Sequence, residues 1–140
     1  MESKFQFTSP RLRSAWFSLN DDYDFDSEEM IANPSFNLEV LELSYENNNA
    51  VVLLKIDINN KEESGEEDLK KSPFFCSVEI FDEFTWEGLN QDEVDAMVHI
   101  NAPALLLSYA RPIISNLVIA SPLPNYNIPF INFQEQWNAE

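Results

Sequence analysis

Asn101-Ala-Pro-Ala-Leu-Leu-Leu-Ser-Tyr-Ala-Arg-Pro-Ile-Ile-Ser-Asn-Leu-Val-Ile119, followed by Pro122-Leu-Pro-Asn-Tyr-Asn-Ile-Pro-Phe-Ile-Asn-Phe133, is the stretch whose reading decides the fold. Its first half is too long and too apolar for one strand. It opens with Pro103, where a helix start accepts proline, and carries a single charge, Arg111, so it reads as a buried helix. Leu106, Tyr109, Ile113, Leu117 and Ala120 share one face, and Leu105, Ile114 and Val118 add an apolar flank. More than one surface must therefore cover this helix. Pro112 removes the bond to the Ser108 carbonyl and predicts a kink, at a cost of roughly 3 kcal/mol in an ordinary helix. The second half, with Pro122, Pro124 and Pro129, predicts an extended loop ending at Ile131, then a short amphipathic run from Asn132.

Working outward, strand patterns precede every long helix. Residues 5–19 alternate loosely through Phe5, Phe7, Leu12, Trp16 and Phe17, with Pro10 interrupting; this predicts a first strand broken at Pro10 and lying at a sheet edge. Residues 35–46 form a second strand, with Phe36, Leu38 and Val40 on one face, Leu41, Leu43 and Tyr45 on the other, and a change of phase near Val40. Asn47, Asn48 and Asn49 are turn residues that tolerate positive φ. The third strand, residues 50–59, then pairs back with Val52, Leu54, Ile56 and Ile58 buried and Lys55 and Asp57 opposite. A fourth, residues 73–86, carries Phe74, Cys76, Val78 and Ile80 on one face and Phe75 and Phe81 on the other. Asn90 to Glu93, before Val94, Met97 and Val98, predicts a short capped helix.

The expected fold is α+β: a four-stranded antiparallel meander sheet followed by a long helix and a short C-terminal helix, with residues 1–140 in one domain. Residues 20–33 read as an acidic loop and residues 60–72 as a mobile, charged hairpin loop.

With 25 acidic residues against 8 basic, the net charge of −17 repels nucleic-acid phosphates and anionic lipid surfaces. A basic partner, or simple solubility, fits better. Aromatic residues make up 13 % of the chain, so adhesive surface and repelling charge coexist, as suits a protein that exposes apolar area yet stays dispersed. The lone Cys76 excludes an intrachain disulfide, no apolar leader follows Met1, and no run reaches the roughly 20 apolar residues of a membrane span. These features predict a cytoplasmic protein without membrane insertion.

Catalysis finds little footing. His99 is the only histidine, and Cys76 lies mid-strand at an apolar position, as an inert thiol does. Asp22, Asp24 and Asp26 have the spacing of a calcium loop's opening, but the turn glycine is missing and position twelve is Asn33 rather than Glu. The other carboxylates lie in solvated runs, and two glycines in the chain argue against a loop closely approaching a cofactor. No enzyme activity, metal or cofactor is expected.

What remains is an apolar surface. Phe36, Leu38 and Val40 continue toward Trp86 and Leu89 and, from the chain end, Phe133 and Trp137. Both faces of the second and fourth strands carry apolar residues, and one layer of helix cannot cover two faces. A second copy or a bound polypeptide must cover the other.

Pro103, Leu106, Tyr109, Ala110 and Arg111, then Leu123, Pro124, Pro129, Ile131, Asn132 and Phe133, together resemble the signature of the SecB protein-export chaperone family. Phe5-Gln6-Phe7, the second strand and Phe74-Phe75-Cys76 extend the likeness over nearly the whole chain. The resemblance implies a four-stranded antiparallel sheet with two helices, assembled as a dimer of dimers, with apolar grooves that hold unfolded proproteins. By position it puts client contacts at Phe36, Leu38 and Val40, with Trp137 beside the groove. It also implies docking of the SecA motor on the first and fourth strands, at Ser14, Ser18 and Ser77. The family carries acidic residues there, so delivery to SecA is put in doubt, with Glu79 and Asp82 as a shifted acidic patch. The sequence ends at Glu140, short of the family's longer second helix and polar tail.

The expected function is that of a SecB-like, ATP-independent holdase binding non-native polypeptides, with a role in protein export as the resemblance's further implication, acting as a homo-oligomer of two or four copies. The alternative is a dedicated adaptor holding one partner, such as an antitoxin.

Overall fold

The computed structural model describes residues 1–26, 29–60, 62 and 65–139. The alternating segments form β1 (Phe5–Phe7), β2 (Arg11–Leu19), β3 (Pro34–Ser44), β4 (Asn49–Ile58) and, after a short helix α1 (Glu66–Lys71), β5 (Phe74–Trp86). A continuous helical rod follows: α2 (Gln91–Ala96), a π-helical turn (Met97–Asn101) and α3 (Ala102–Ile119). Helix α4 (Phe133–Ala139) comes last.

Every pairing is antiparallel. β4 takes one edge of β5, and β1 and β2 both pair with the other, so they are two halves of one edge row broken around Pro10. β3 forms the opposite edge. The expected α+β sheet stands, with β1 and β2 sharing a row. The meander holds for β3, β4 and β5, but the first row pairs with β5 rather than with β3. The tight turn at Asn48 (φ 56°) forces β3 and β4 to be neighbours, whereas the long connection after β2 leaves that strand free to cross to the far edge.

β4 is the centre of the core: Val52, Leu54, Ile56 and Ile58 are at most 1 % exposed, as its alternation requires. The phase change expected near Val40 is a β-bulge between Val40 and Glu42, with Leu41 as the extra residue.

The capped helix at Asn90 is present. Asn90 Oδ1 accepts from the Glu93 amide (2.8 Å) and Glu93 Oε1 accepts from the Asn90 amide (3.2 Å). It does not end before the main helix, however. Pro103 lies in the first turn of α3, as expected, but the π-helical turn that precedes it joins α3 to α2 without a break. The rod Gln91–Ile119 is thus long and apolar enough to cross a membrane by length and composition, a property the sequence reading did not find. Here it is the core helix, with Leu106, Ala110, Ile114 and Val118 buried in one cluster with β4 and β5.

The structure decides which face of the helix turns to the sheet. Ala102, Leu106, Ala110, Ile114 and Val118 line it, while Tyr109 is 43 % exposed. Two of these five are alanines, Ala102 and Ala110, both fully buried in the core. The helix continues through Pro112, which, like Ser108, is exposed, so water reaches the carbonyl that Pro112 leaves without a donor.

The charged segment before β5 contains α1, where a mobile loop is expected; Lys61, Glu63 and Ser64 of that segment, and Ser27 and Glu28 of the acidic loop, lie outside the described residues. Glu66, Glu67 and Asp68 in its first turn and Lys70 and Lys71 in its last match the helix dipole, and Lys71 Nζ lies 3.0 Å from Glu29 Oε2.

Candidate functional site

Partly covered apolar side chains Phe36, Leu38 and Val40 lie where α4 meets the edge strand β3. Asn132 starts α4, its Oδ1 accepting from the amides of Gln134 (3.1 Å) and Glu135 (3.2 Å). The buried Phe133 ring meets Phe36 edge-on at 5.9 Å. One turn on, Gln136 Nε2 donates to the backbone carbonyl of Phe36 (3.2 Å), and Trp137 stacks on His99 of the π-helical turn at 5.1 Å and 12°. The His99 ring is set by Nδ1–H donating to the Asp95 carbonyl (2.8 Å). Leu38, His99, Phe133, Gln136 and Trp137 enclose a gap of about 70 Å³.

Beyond that gap α4 no longer covers β3. Val40 is half-buried, Leu43 is 37 % exposed, and Tyr45 donates to the Asp95 carboxylate at the far end. That contact with Asp95 holds the Tyr45 phenol above its ordinary pKa. Phe36, Leu38, Val40 and Leu43 face the helices, because their partners in β4 are Ile56, Leu54, Val52 and Ala50.

Of the seven sequence-predicted client residues, Phe36, Leu38, Val40, Phe133 and Trp137 come together here. Trp86 and Leu89 do not. Trp86 is 3 % exposed and stacked on Phe5 (6.0 Å, 13°), which makes it a core residue and corrects its place in the expected groove. Leu89 lines a separate groove with Phe5 and Met97. His99 and Gln136 were missed; nothing in their spacing announces contacts between a helix, a distant helix and an edge strand.

The Pro-rich segment between α3 and α4 is pinned by Arg111, which donates from Nη1 to the Ile128 carbonyl (2.9 Å) and from Nη2 to the Pro129 carbonyl (3.0 Å). Tyr126 packs against Phe74, and burial raises its phenol's pKa. Arg111→Ala removes two charge-assisted bonds and is expected to cost about 2 kcal/mol, with faster hydrogen exchange in residues 123–131 while β4 stays protected. Unchanged exchange there would remove Arg111 as the tether.

The family model that matches residues 25–140 is described as "Preprotein translocase subunit SecB". The chain belongs to the SecB family. β1 and β2 precede the matched residues. The uncharacterized protein MJ0357 of Methanocaldococcus jannaschii is 28 % identical over 127 residues, covering 91 % of this chain and 78 % of the relative. Among solved structures, the SecB-like chaperone Rv1957 of Mycobacterium tuberculosis, in complex with a ChAD peptide from the Rv1956 HigA1 antitoxin, aligns with a TM-score of 0.68 at 14 % identity. That alignment covers 92 % of this chain and 91 % of the other, and it shows that the fold is SecB-like. A protein of unknown function from Streptococcus agalactiae aligns with a TM-score of 0.49 at 14 % identity, over 90 % of this chain and 97 % of the other.

On the sheet face turned away from the helices, Ser14 sits opposite Glu79, Ser77 opposite Trp16, and Ser18 opposite Phe75. The positions expected to meet SecA are therefore neighbours, but Glu79 Oε2 lies 3.5 Å from Arg13 Nε, which offsets the acid there. Asp82 does not join them, which corrects its place in a shifted acidic patch: it is 2 % exposed on the helix side, where the strand's alternation puts it. Trp16, 55 % exposed, shares this outer face with Phe75 and Phe81.

Burial, with the Asp57 charge adding, pushes the Cys76 thiol up to about 11, so at pH 8 it is protonated and enclosed. A thiol reagent at pH 8 is expected to modify Cys76 only as fast as the protein unfolds; rapid labelling of the native chain would contradict this. Among the described residues there is no cluster of His, Cys, Asp and Glu able to hold a metal ion.

Proposed function

We propose that this SecB-family protein is an ATP-independent holdase of the cytosol, working without chemistry and capturing extended, non-native segments along β3. The observation that carries the reading is a half-buried apolar row, Phe36, Leu38 and Val40, on an edge strand. It is covered in part by a seven-residue helix. A guest strand gains main-chain bonds at such an edge and side-chain contacts at alternate positions. The Phe36 carbonyl, now taken by Gln136, is an acceptor such a guest would use. Family membership supports a polypeptide-binding role, and the Mycobacterium protein of like fold binds an antitoxin segment. Apolar contacts read bulk rather than sequence, so binding is promiscuous, and the net charge of −17 favours basic clients. Light scattering from an aggregating client is the test: stoichiometric protein is expected to suppress aggregation, and no suppression sinks the holdase reading.

The antitoxin complex of that Mycobacterium protein favours a second reading, a dedicated adaptor for one partner. Mass spectrometry of native complexes separates the two, with one dominant partner favouring the adaptor and many favouring the holdase.

The uncharged Ser14, Ser18 and Ser77 favour a role without delivery to SecA. Titration with SecA is then expected to give no saturable complex, and a complex would restore export as the function. We further infer assembly as two or four copies, because the outward line of α3 through Ala104, Ser108, Pro112 and Asn116 is exposed and uncharged. Ser108→Glu is expected to lower the mass found by light scattering; a monomeric parent chain would end this inference.

A further inference from the structure

Helix α4 lies on β3 and the rod as a strap. Phe133, at its start, is buried, whereas Gln134, Glu135 and Asn138 are exposed. Its second half is held through Gln136, which takes the Phe36 carbonyl of the edge strand, and Trp137, which lies flat on His99 at 5.1 Å and 12°. The gap these side chains close beside Leu38 measures about 70 Å³. That is roughly half of the ~150 Å³ cavity that takes up a benzene molecule. An aromatic guest side chain reaches Leu38 only when the second half of α4 lifts.

One partner in this contact can change its charge. Imidazole is the side chain that ordinarily does so between pH 5 and 8. His99 Nδ1–H donates to the Asp95 carbonyl, so a proton gained by the ring goes to Nε2 and leaves that bond in place. A cation against an indole face is attracted by the ring's quadrupole, an attraction the neutral imidazole lacks.

The ionisable groups around the ring are acidic. On the rod, Asp95 lies one turn back, its carboxylate accepting from Tyr45 of β3, and Asp92 lies about one turn further back. From β3, Leu38 lines the gap, while Glu39 and Glu42 turn to the other sheet face with their β4 partners Leu53 and Val51. From α4 the facing residues are Phe133, Gln136 and Trp137; Glu135, two residues from both rings, is exposed on the far side. Arg111, the single charge of α3, lies about 18 Å along the rod.

We propose that the charge on His99 sets how firmly α4 is strapped over β3: the imidazolium holds Trp137 down and closes the edge, and the neutral ring lets the strap lift. The proposal rests on client capture along β3 and adds its regulation, with acid closing the site.

Two measurements on the full chain test it, each at about pH 5.5 and about pH 7.5 and each repeated on His99→Gln. The first is hydrogen exchange of the amides of residues 136–138, corrected for the intrinsic exchange rate at each pH. Protection in the parent chain is expected to be about two- to fivefold greater at the lower pH, and equal at the two pH values in the variant, with β4 unchanged throughout. Equal protection in the parent, or a rise that persists in His99→Gln, overturns the proposal. The second is binding of a fluorescent, acetylated and amidated peptide, Lys-Phe-Val-Leu-Phe-Lys, whose charge is constant over this range. The parent is expected to bind it about two- to fivefold more weakly at the lower pH, and the variant equally at both. Protection that responds to pH without a change in affinity overturns the regulation. If the peptide binds at neither pH, the capture reading fails, and the exchange data alone decide whether His99 holds the strap.

Discussion

Leu38→Asp is expected to abolish protection of an aggregating client at stoichiometric ratio while leaving the circular dichroism spectrum and the cooperative melt in place. Leu38 is half-buried at the gap between β3 and α4, against His99, Phe133 and Trp137. A carboxylate there removes the apolar contact, worth about 1.5–3 kcal/mol for one fully buried leucine, and would have to shed water for a guest to bind. The affinity for an extended client should fall between tenfold and a hundredfold. The fold should tolerate the change, because β3 is an edge strand and the main-chain pairing of Leu38 with Leu54 does not depend on the side chain. Measured together, light scattering and thermal unfolding separate the outcomes. An unfolded variant would make Leu38 a core residue, and a folded variant with full protection would move capture away from β3.

Asn59→Ala should produce the largest loss of stability for a single polar side chain. Asn59 is 3 % exposed and joins three segments at one end of the sheet: Oδ1 accepts from the Asn33 amide (2.8 Å), and Nδ2 donates to the carbonyls of Ile31 (2.8 Å) and Phe74 (3.1 Å). Its backbone is left-handed, at φ 57°, where asparagine is tolerated and alanine is strained. Stranding three backbone groups and adding that strain should together cost about 3–5 kcal/mol, or a melting temperature lower by roughly 10 °C. Asn59→Gly keeps the conformation and loses only the bonds, so it should fall between the alanine variant and the parent. An alanine variant within about 1 kcal/mol of the parent would show that water replaces the side chain.

Much of the architecture is legible in residue types alone. The alternation of β4, the break at Pro10, the three asparagines at the β3–β4 turn and the Asn90 cap each rest on interactions spanning a few residues, and each is where the pattern puts it. The bulge after Val40 is legible for the same reason. The errors fall where two distant pieces meet. Which face of the main helix meets the sheet is not legible, because Ala102 and Ala110 carry little hydrophobic weight in a periodicity reading, yet both are fully buried in the cluster with β4 and β5. Pro103 lies in the first turn of α3 as its residue type suggests, but that α2 runs into α3 without a break is not legible, because the π-helical turn between them has no sequence signature of its own. Trp86 was assigned to a groove because a large aromatic at a strand end is equally suited to surface and core; stacking on Phe5, from the other end of the chain, decides it.

The candidate site shows the same division. Phe36, Leu38 and Val40 are visible as an apolar row, and Phe133 and Trp137 as one face of a short helix. That Gln136 reaches the Phe36 carbonyl and Trp137 stacks on His99 depends on the angle at which the Pro-rich segment, tied to Arg111, delivers α4 to the sheet. The sequence by itself determined the order of the main strands and helices, the apolar main helix with its single charge and the surplus of apolar residues in an acidic chain, since these follow from local periodicity and composition. Only the tertiary structure decided which apolar residues are covered, that the first strand lies beside β5, and that Asp82 is buried beneath it. Those outcomes depend on long-range pairing and close packing, and neither leaves a mark within the few residues over which a sequence pattern is read.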